Sequence, residues 1–146
     1  MTVPQEDTIL QPIVDQLVLV AQQIDGVGTC YDKIPDGQLE DNSVMFPAIH
    51  VDVKSGTNRR LTLHITFNIV HHFRRTRLQE TLARCNAAVP AWVNVLGSYG
   101  NATLGGTVQM IDLQAIDIRE VKHAGQSGVG VISTLVVRTE IPIPGR

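Results

Sequence analysis

Between Arg60 and Val70 apolar and polar positions alternate without a fault: Leu61, Leu63, Ile65, Phe67 and Ile69 interleave with Arg60, Thr62, His64, Thr66 and Asn68. A period of two held over this length suits a half-buried strand and is useless to a helix. From Thr8 to Ile24 the period is helical instead, with Ile9, Leu10, Ile13, Val14, Leu17, Val20, Ala21 and Ile24 on one stripe. Glu6 and Asp7 match the positive end of that helix, and Asp25-Gly26 offers a stop. Pro12 either starts the helix near Gln11 or distorts its first turn. A second helical stripe runs through Leu78, Leu82, Cys85, Val89, Trp92, Val93 and Leu96. Thr76 and Gln79 have the spacing of a reciprocal capping box, and Pro90 is expected to kink or split this helix.

Strands fill the rest. Val27 to Tyr31 is a short one, followed by a proline-, glycine- and acid-rich loop from Asp32 to Ser43 that reads as long and exposed. Phe46 to Val53 alternates again, and the turn-like Ser55-Gly-Thr-Asn58 predicts an antiparallel hairpin with the Arg60 strand. Thr107 to about Lys122 and Gly128 to Ile143 are long strands around the flexible tip Ala124-Gly-Gln-Ser-Gly128. In the first of them the apolar parity switches between Ala115 and Ile116, which implies a bulge or burial on both faces. Pro142 and Pro144 place the end of the last strand at a sheet edge. The fold class is α+β in the order α-β-β-β-α-β-β: a mainly antiparallel sheet of about five strands with two helices on one face, forming a single domain over 1–146.

Composition narrows the partners. A chain of 146 residues can bury a sizeable core without disulfides. Cys30 and Cys85 lie in no metal-ligand or redox spacing and read as free thiols among apolar neighbours. A formal charge of −2 and a pI near 6.2 give no global attraction to nucleic acid or anionic membrane. The absence of an apolar run near the ~20 residues of a bilayer span, together with the acidic start, leads to the expectation of a soluble protein made in the cytosol. With 4% aromatic residues, base-stacking platforms are not expected.

The search for chemistry yields little. Gly26-Val-Gly28 follows a helix instead of a strand, so it does not meet the requirements of a dinucleotide-binding turn. Strand parity puts His50, Asp52 and His64 on one sheet face, with His50 and His64 near-opposite, where they either ligate a divalent metal or are the polar residues of an outer face. His71 and His72 are consecutive and point to opposite faces. The basic run from His71 to Arg77 is either a contact for phosphate or a partner, or a solvated corner. No nucleophile stands at readable spacing from a base, so no enzyme activity and no cofactor are expected.

The strands after Thr107 are apolar on both parities, a surplus that points to cover by further copies of the chain. The opening helix, the strand Gly26-Val-Gly-Thr-Cys-Tyr31 running into Asp32-Lys-Ile-Pro35, the acidic loop and the strand Phe46-Pro-Ala-Ile-His-Val51 together resemble the tail terminator (tail completion) proteins of long-tailed bacteriophages. The resemblance spans most of the chain. It implies a structural virion protein of the tail or neck: a ring, usually of six copies, that sits on the last ring of the tail tube, halts its polymerisation and offers its other side to the head connector. DNA would pass through the lumen without specific binding. A ring closed by rotation needs two different complementary patches per subunit. Asp32, Asp36, Glu40 and Asp41 on one side, and Arg59, Arg60, Arg74, Arg75 and Arg77 on the other, are the expected interface residues. The alternatives are a phage head-closure or baseplate adaptor, or a small metal-dependent enzyme built on His50, Asp52 and His64.

Overall fold

The alternating segment forms the centre of a sheet. In the computed structural model, which describes residues 8–54 and 60–142, it extends further than the alternation and becomes a strand of 15 residues, Arg60–Arg74. In chain order the elements are α1 (Leu10–Ala21), β1 (Cys30–Tyr31), β2 (Ser43–Met45), β3 (Ala48–Lys54), β4 (Arg60–Arg74), α2 (Leu78–Leu96), a single 3-10 turn at Tyr99–Asn101, β5 (Met110–His123) and β6 (Gln126–Pro142). The architecture is α+β, with two helices and a sheet of six strands in the order β1-β2-β4-β6-β5; β3 joins β4 on the same side as β2, further along the strand. All pairings are antiparallel except β1 with β2. The expected turn Ser55-Gly-Thr-Asn58, Arg59, Glu6, Asp7 and Pro144 lie outside the described residues.

Five strands become six because a short strand, Ser43–Met45, forms ahead of the expected Phe46-to-Val53 strand, which itself begins only at Ala48, after Phe46-Pro47. Proline has no N–H for a ladder, and here the Pro47 carbonyl accepts from Asn68 while β2 ends and β3 begins. Odd-numbered residues of β4 from Leu63 to Ile69, and Phe73 beyond them, face the helices with Val131, Leu135 and Val137 of β6, against Ile13, Leu17 and Val20 of α1 and Cys85, Trp92 and Leu96 of α2. The parity change in β5 is a β-bulge between Leu113 and Ala115. Ala124 and Gly125, both at positive φ, close the β5–β6 hairpin between His123 and Gln126, the two-residue turn that matches strand twist.

Several expectations are corrected. β6 is an interior strand, paired with β4 on one side and β5 on the other, and Pro142 merely sits at its end opposite Arg60. Its two-sided apolar character reflects this position more than missing cover. Pro90 does not split α2, which is continuous to Leu96; Pro90 and Asn86, whose carbonyl loses its donor, are both exposed to water. The capping box does not form. The helix begins after Arg77, and Thr81 Oγ1 donates to the Arg77 carbonyl and accepts from the Thr76 N–H. The buried stripe of α2 is Thr81, Cys85, Ala88, Trp92 and Leu96, rotated from the expected one so that Leu78 and Leu82 are exposed.

The largest correction concerns the acidic loop. Its backbone is docked on the sheet face opposite the helices, where Leu39 is fully buried with Met45, Val70 and Ile132 in a second, smaller apolar cluster. Truncating Leu39 removes the anchor of that cluster. Leu39→Ala is expected to cost about 2–3 kcal/mol in urea unfolding and to accelerate amide exchange over residues 32–42 while leaving β4 amides slow at matched stability.

Candidate assembly surface

Hydrogen bonds to backbone hold the docked loop. The Leu39 N–H donates to Gln126 Oε1 at 2.9 Å, and the Glu40 N–H donates to the Tyr31 hydroxyl at 3.1 Å. His123 Nε2 lies 2.6 Å from the Pro35 carbonyl and His72 Nδ1 lies 3.2 Å from the Glu40 carbonyl, so each of these ring nitrogens is the donor. Gly128 stands beside His72 on β6 because a Cβ there would collide with the imidazole and with the Phe73 carbonyl. The β5–β6 hairpin tip and the loop are thus one unit. Burial pushes His72 below the usual histidine range, although the Glu40 carbonyl opposes that shift.

At its far end the loop enters the other side of the sheet. Trp92 Nε1–H donates to His71 Nδ1 at 3.0 Å, which leaves the proton of the neutral ring on Nε2, donated to Asn42 Oδ1 at 2.6 Å. Asn42, in the left-handed region at φ 57, passes the chain on by donating from Nδ2 to the Gly26 carbonyl. Gly28 N–H bonds the Asn42 carbonyl at 2.9 Å, an approach that a side chain at Gly28 would block. His71 is almost fully buried, and burial, helped by the nearby positive charge of Arg84, lowers its pKa to about 4.

The residues expected at the interface fall in different places. Asp41 is engaged within its own subunit, where both carboxylate oxygens accept from Arg84 at 3.0 and 3.1 Å and Oδ1 also accepts the Arg74 N–H. Partial burial works against its ionisation, but these hydrogen bonds outweigh it and hold the carboxyl below the usual range. Arg84 also lies over the Phe73 ring, 4.7 Å from its centroid. Glu40 accepts from Thr29 Oγ1. Asp32 rims an open groove of about 830 Å³ between the start of α1 and the start of β3. Asp32 and Asp36 form no ion pair among the described residues.

The basic residues do not form one corner. Arg60 and Arg74 are at opposite ends of β4, roughly 45 Å apart by strand rise. Arg60 pairs with Glu140 at 3.6 Å, Arg77 approaches Glu80 at 3.9 Å on the exposed start of α2, and Arg75 is exposed.

The parity argument for His50, Asp52 and His64 places all three on the outer sheet face, but the register sets Asp52 opposite His64 and His50 opposite Thr66. The exposed His50 ring, 3.0 Å from Asp52 Oδ1, holds that carboxyl below its ordinary range. Among the described residues no three His, Cys, Asp or Glu side chains converge as metal ligands. Cys30 and Cys85 are free thiols, and burial raises the pKa of both.

Among the described residues β1, β3 and β5 each pair on one side only, and of these β3 and β5 are the long strands. Every residue of β3 is exposed, including Ile49, Val51 and Val53 at 54%, 43% and 61%. Val51 and Val53 share the helix-side face with Ile65 and Leu63, but the helices stop short of them. β5 is the opposite edge, with the end of α2 beside it at Ile111 and Leu113. Reading the sequence missed Arg84 and the Trp92–His71–Asn42 relay; the one local signal was the pair His71-His72 continuing a hydrophobic strand. Among the described residues no helix is long and apolar enough to cross a membrane. Neither a protein-family model nor a curated protein sequence matches the chain.

The buried imidazole carries a pH signature. An unfolded chain takes up the His71 proton near 6.5 and the folded one only near 4, so the stabilising contribution is complete above about 6.5 and is lost as pH falls towards 4. The difference corresponds to roughly 3 kcal/mol. In denaturant titrations His71→Gln, which cannot titrate, is expected to be less stable at pH 7 and to flatten the decline between pH 6.5 and 4.

Proposed function

We propose that this protein is a structural virion component that closes head-to-tail into a ring of six copies, caps the tail tube of a long-tailed bacteriophage, stops its polymerisation and presents its other side to the head connector. The observation that carries the self-assembly is the uncovered apolar edge at β3, matched by a free edge of different character at β5. Two unlike edges at opposite ends of one sheet are what a heterologous contact requires, and such contacts close when the rotation between neighbours divides the circle. An exposed apolar edge strand is otherwise a liability.

The tail assignment draws on the resemblance in Cys30-Tyr-Asp-Lys-Ile-Pro35 and Phe46-Pro-Ala-Ile-His-Val51. Its partners on that reading are copies of itself, the tube protein and the connector, in the neck of a virion assembled in the host cytoplasm. The outer sheet face is compatible with a lumen for DNA. It carries Asp112, Asp117 and Asp52 among Thr66, Asn68 and Thr134, interrupted by Arg119 and Arg138, and so offers no continuous positive track to hold phosphates. Asp32, Asp36, Arg75 and Arg77 are left to contact neighbours, whereas Asp41 is engaged by Arg84.

Native mass spectrometry of the purified protein, alone and with purified tube protein, tests this reading. A discrete six-copy species, together with arrested tube growth at a ratio of a few rings per tube, is the expected result. A monomer that leaves tube length unchanged removes the assignment, and a ring that binds the connector while ignoring tube ends replaces it with a head-closure adaptor.

A further inference from the structure

β3 and β5 run in opposite directions, as the antiparallel pairings β3–β4, β4–β6 and β6–β5 require. A rotation that continues the sheet from one copy into the next therefore brings β3 against β5 as an antiparallel pair. Val51 and Val53 lie on the helix side of β3, and His50, Asp52 and Lys54 lie on the outer side. On β5 the helix side carries Ile111, Leu113, Ile116 and Ile118, and the outer side carries Asp112, Ala115 and Asp117, with Gln114 as the extra residue of the bulge. Keeping the helix sides together leaves few registers.

We infer that the free edge of β3 adds to the free edge of β5 in a neighbouring copy, with Val51 facing Ile116 of the partner subunit, Val53 facing Leu113 of the partner subunit, His50 facing Asp117 of the partner subunit and Lys54 facing Asp112 of the partner subunit. Charge disfavours the two neighbouring registers. Sliding β3 by one repeat of the pleat in either direction sets Asp52 against Asp112 or Asp117, and like charges placed directly opposite are destabilising. In the inferred register Asp52 meets Ala115 instead, while Lys54 meets the Asp112 carboxylate and the His50 ring meets that of Asp117. The apolar row is matched as well. Val51 and Val53 have no helix of their own chain above them, whereas an open groove of about 390 Å³, lined by Val93, Leu96, Tyr99, Ile111 and Leu113, sits over the β5 edge and would cover Val53. The bulge and charges of β5, devices that blunt an edge against indiscriminate pairing, here admit one partner in one register. The pairing rests on the self-assembly part of the function proposed above and not on the tail.

Charge reversal tests the pairing, using the full-length chain. Lys54→Glu alone and Asp112→Lys alone are each expected to weaken association at least about tenfold in sedimentation equilibrium, and the double variant to recover most of it. Both side chains are exposed, and circular dichroism confirms that each variant is folded. As a second measurement, His50→Cys with Asp117→Cys in a Cys30→Ser background is expected to give a ladder of cross-linked copies under oxidising conditions, because directly opposed antiparallel residues lie within disulfide reach. Neither single cysteine should do so. Association indifferent to the reversals, a double variant that does not recover, or no ladder overturns the pairing. Copies that pair by these edges yet leave tube ends growing overturn the tail assignment alone, and rings that persist through every reversal overturn the pairing alone. A wild-type chain that stays monomeric even on tube ends overturns both.

Discussion

Trp92 donates to one nitrogen of His71, and the other nitrogen donates to Asn42. That pair of hydrogen bonds ties α2, β4 and the end of the long loop to one buried imidazole, and Asn42 extends the tie to the turn at Gly26. Each member is constrained by the others, since a buried donor or acceptor deprived of its partner costs about 1–3 kcal/mol. The relay also accounts for the rotation of α2. With Trp92 required to reach His71, the face that turns inward carries Cys85, Ala88 and Leu96, and Leu78 and Leu82 are left in water.

Cover on the sheet is unequal. The helices protect the half of one face that holds Phe67, Leu135 and Val131, and the docked loop protects a smaller area of the other face at Val70 and Ile132. Beyond both, β3 stands exposed, with Val51 and Val53 on the helix side and His50, Asp52 and Lys54 on the other. A strand with half its neighbours missing is costly to leave open, and the proposed ring completes the sheet without further helices. The charged residues first expected to set the contact are partly engaged inside the subunit, so the proposed self-assembly rests on the edges instead.

Periodicity carried the reading of the sequence as far as element types. The alternation from Leu61 to Ile69, the stripe from Ile13 to Ala21 and the parity change near Ala115 each follow from short-range geometry and reappear as β4, α1 and the bulge of β5. Other features were opaque for identifiable reasons. Thr81 carries no hydrophobic signal, yet it is fully buried because its hydroxyl can serve the Arg77 carbonyl. A loop with acids, glycine and proline reads as solvated, but one leucine within it, Leu39, found a gap on the sheet, and its backbone found side-chain partners 87 and 88 positions away.

Local pattern, then, determined both helices, every strand but the short Ser43–Met45, and the apolar parity of the long central strand, because these depend on neighbours within a few residues. Only the tertiary structure decided that β6 is interior, that the acidic loop lies on the sheet, that Asp41 belongs to Arg84, and that β3 and β5 pair on one side only. Those outcomes depend on contacts between residues distant in the chain, for which no single segment carries a signal. An apolar strand reads the same whether its own fold or a neighbouring copy covers it; only the packed chain shows which apolar residues are left over.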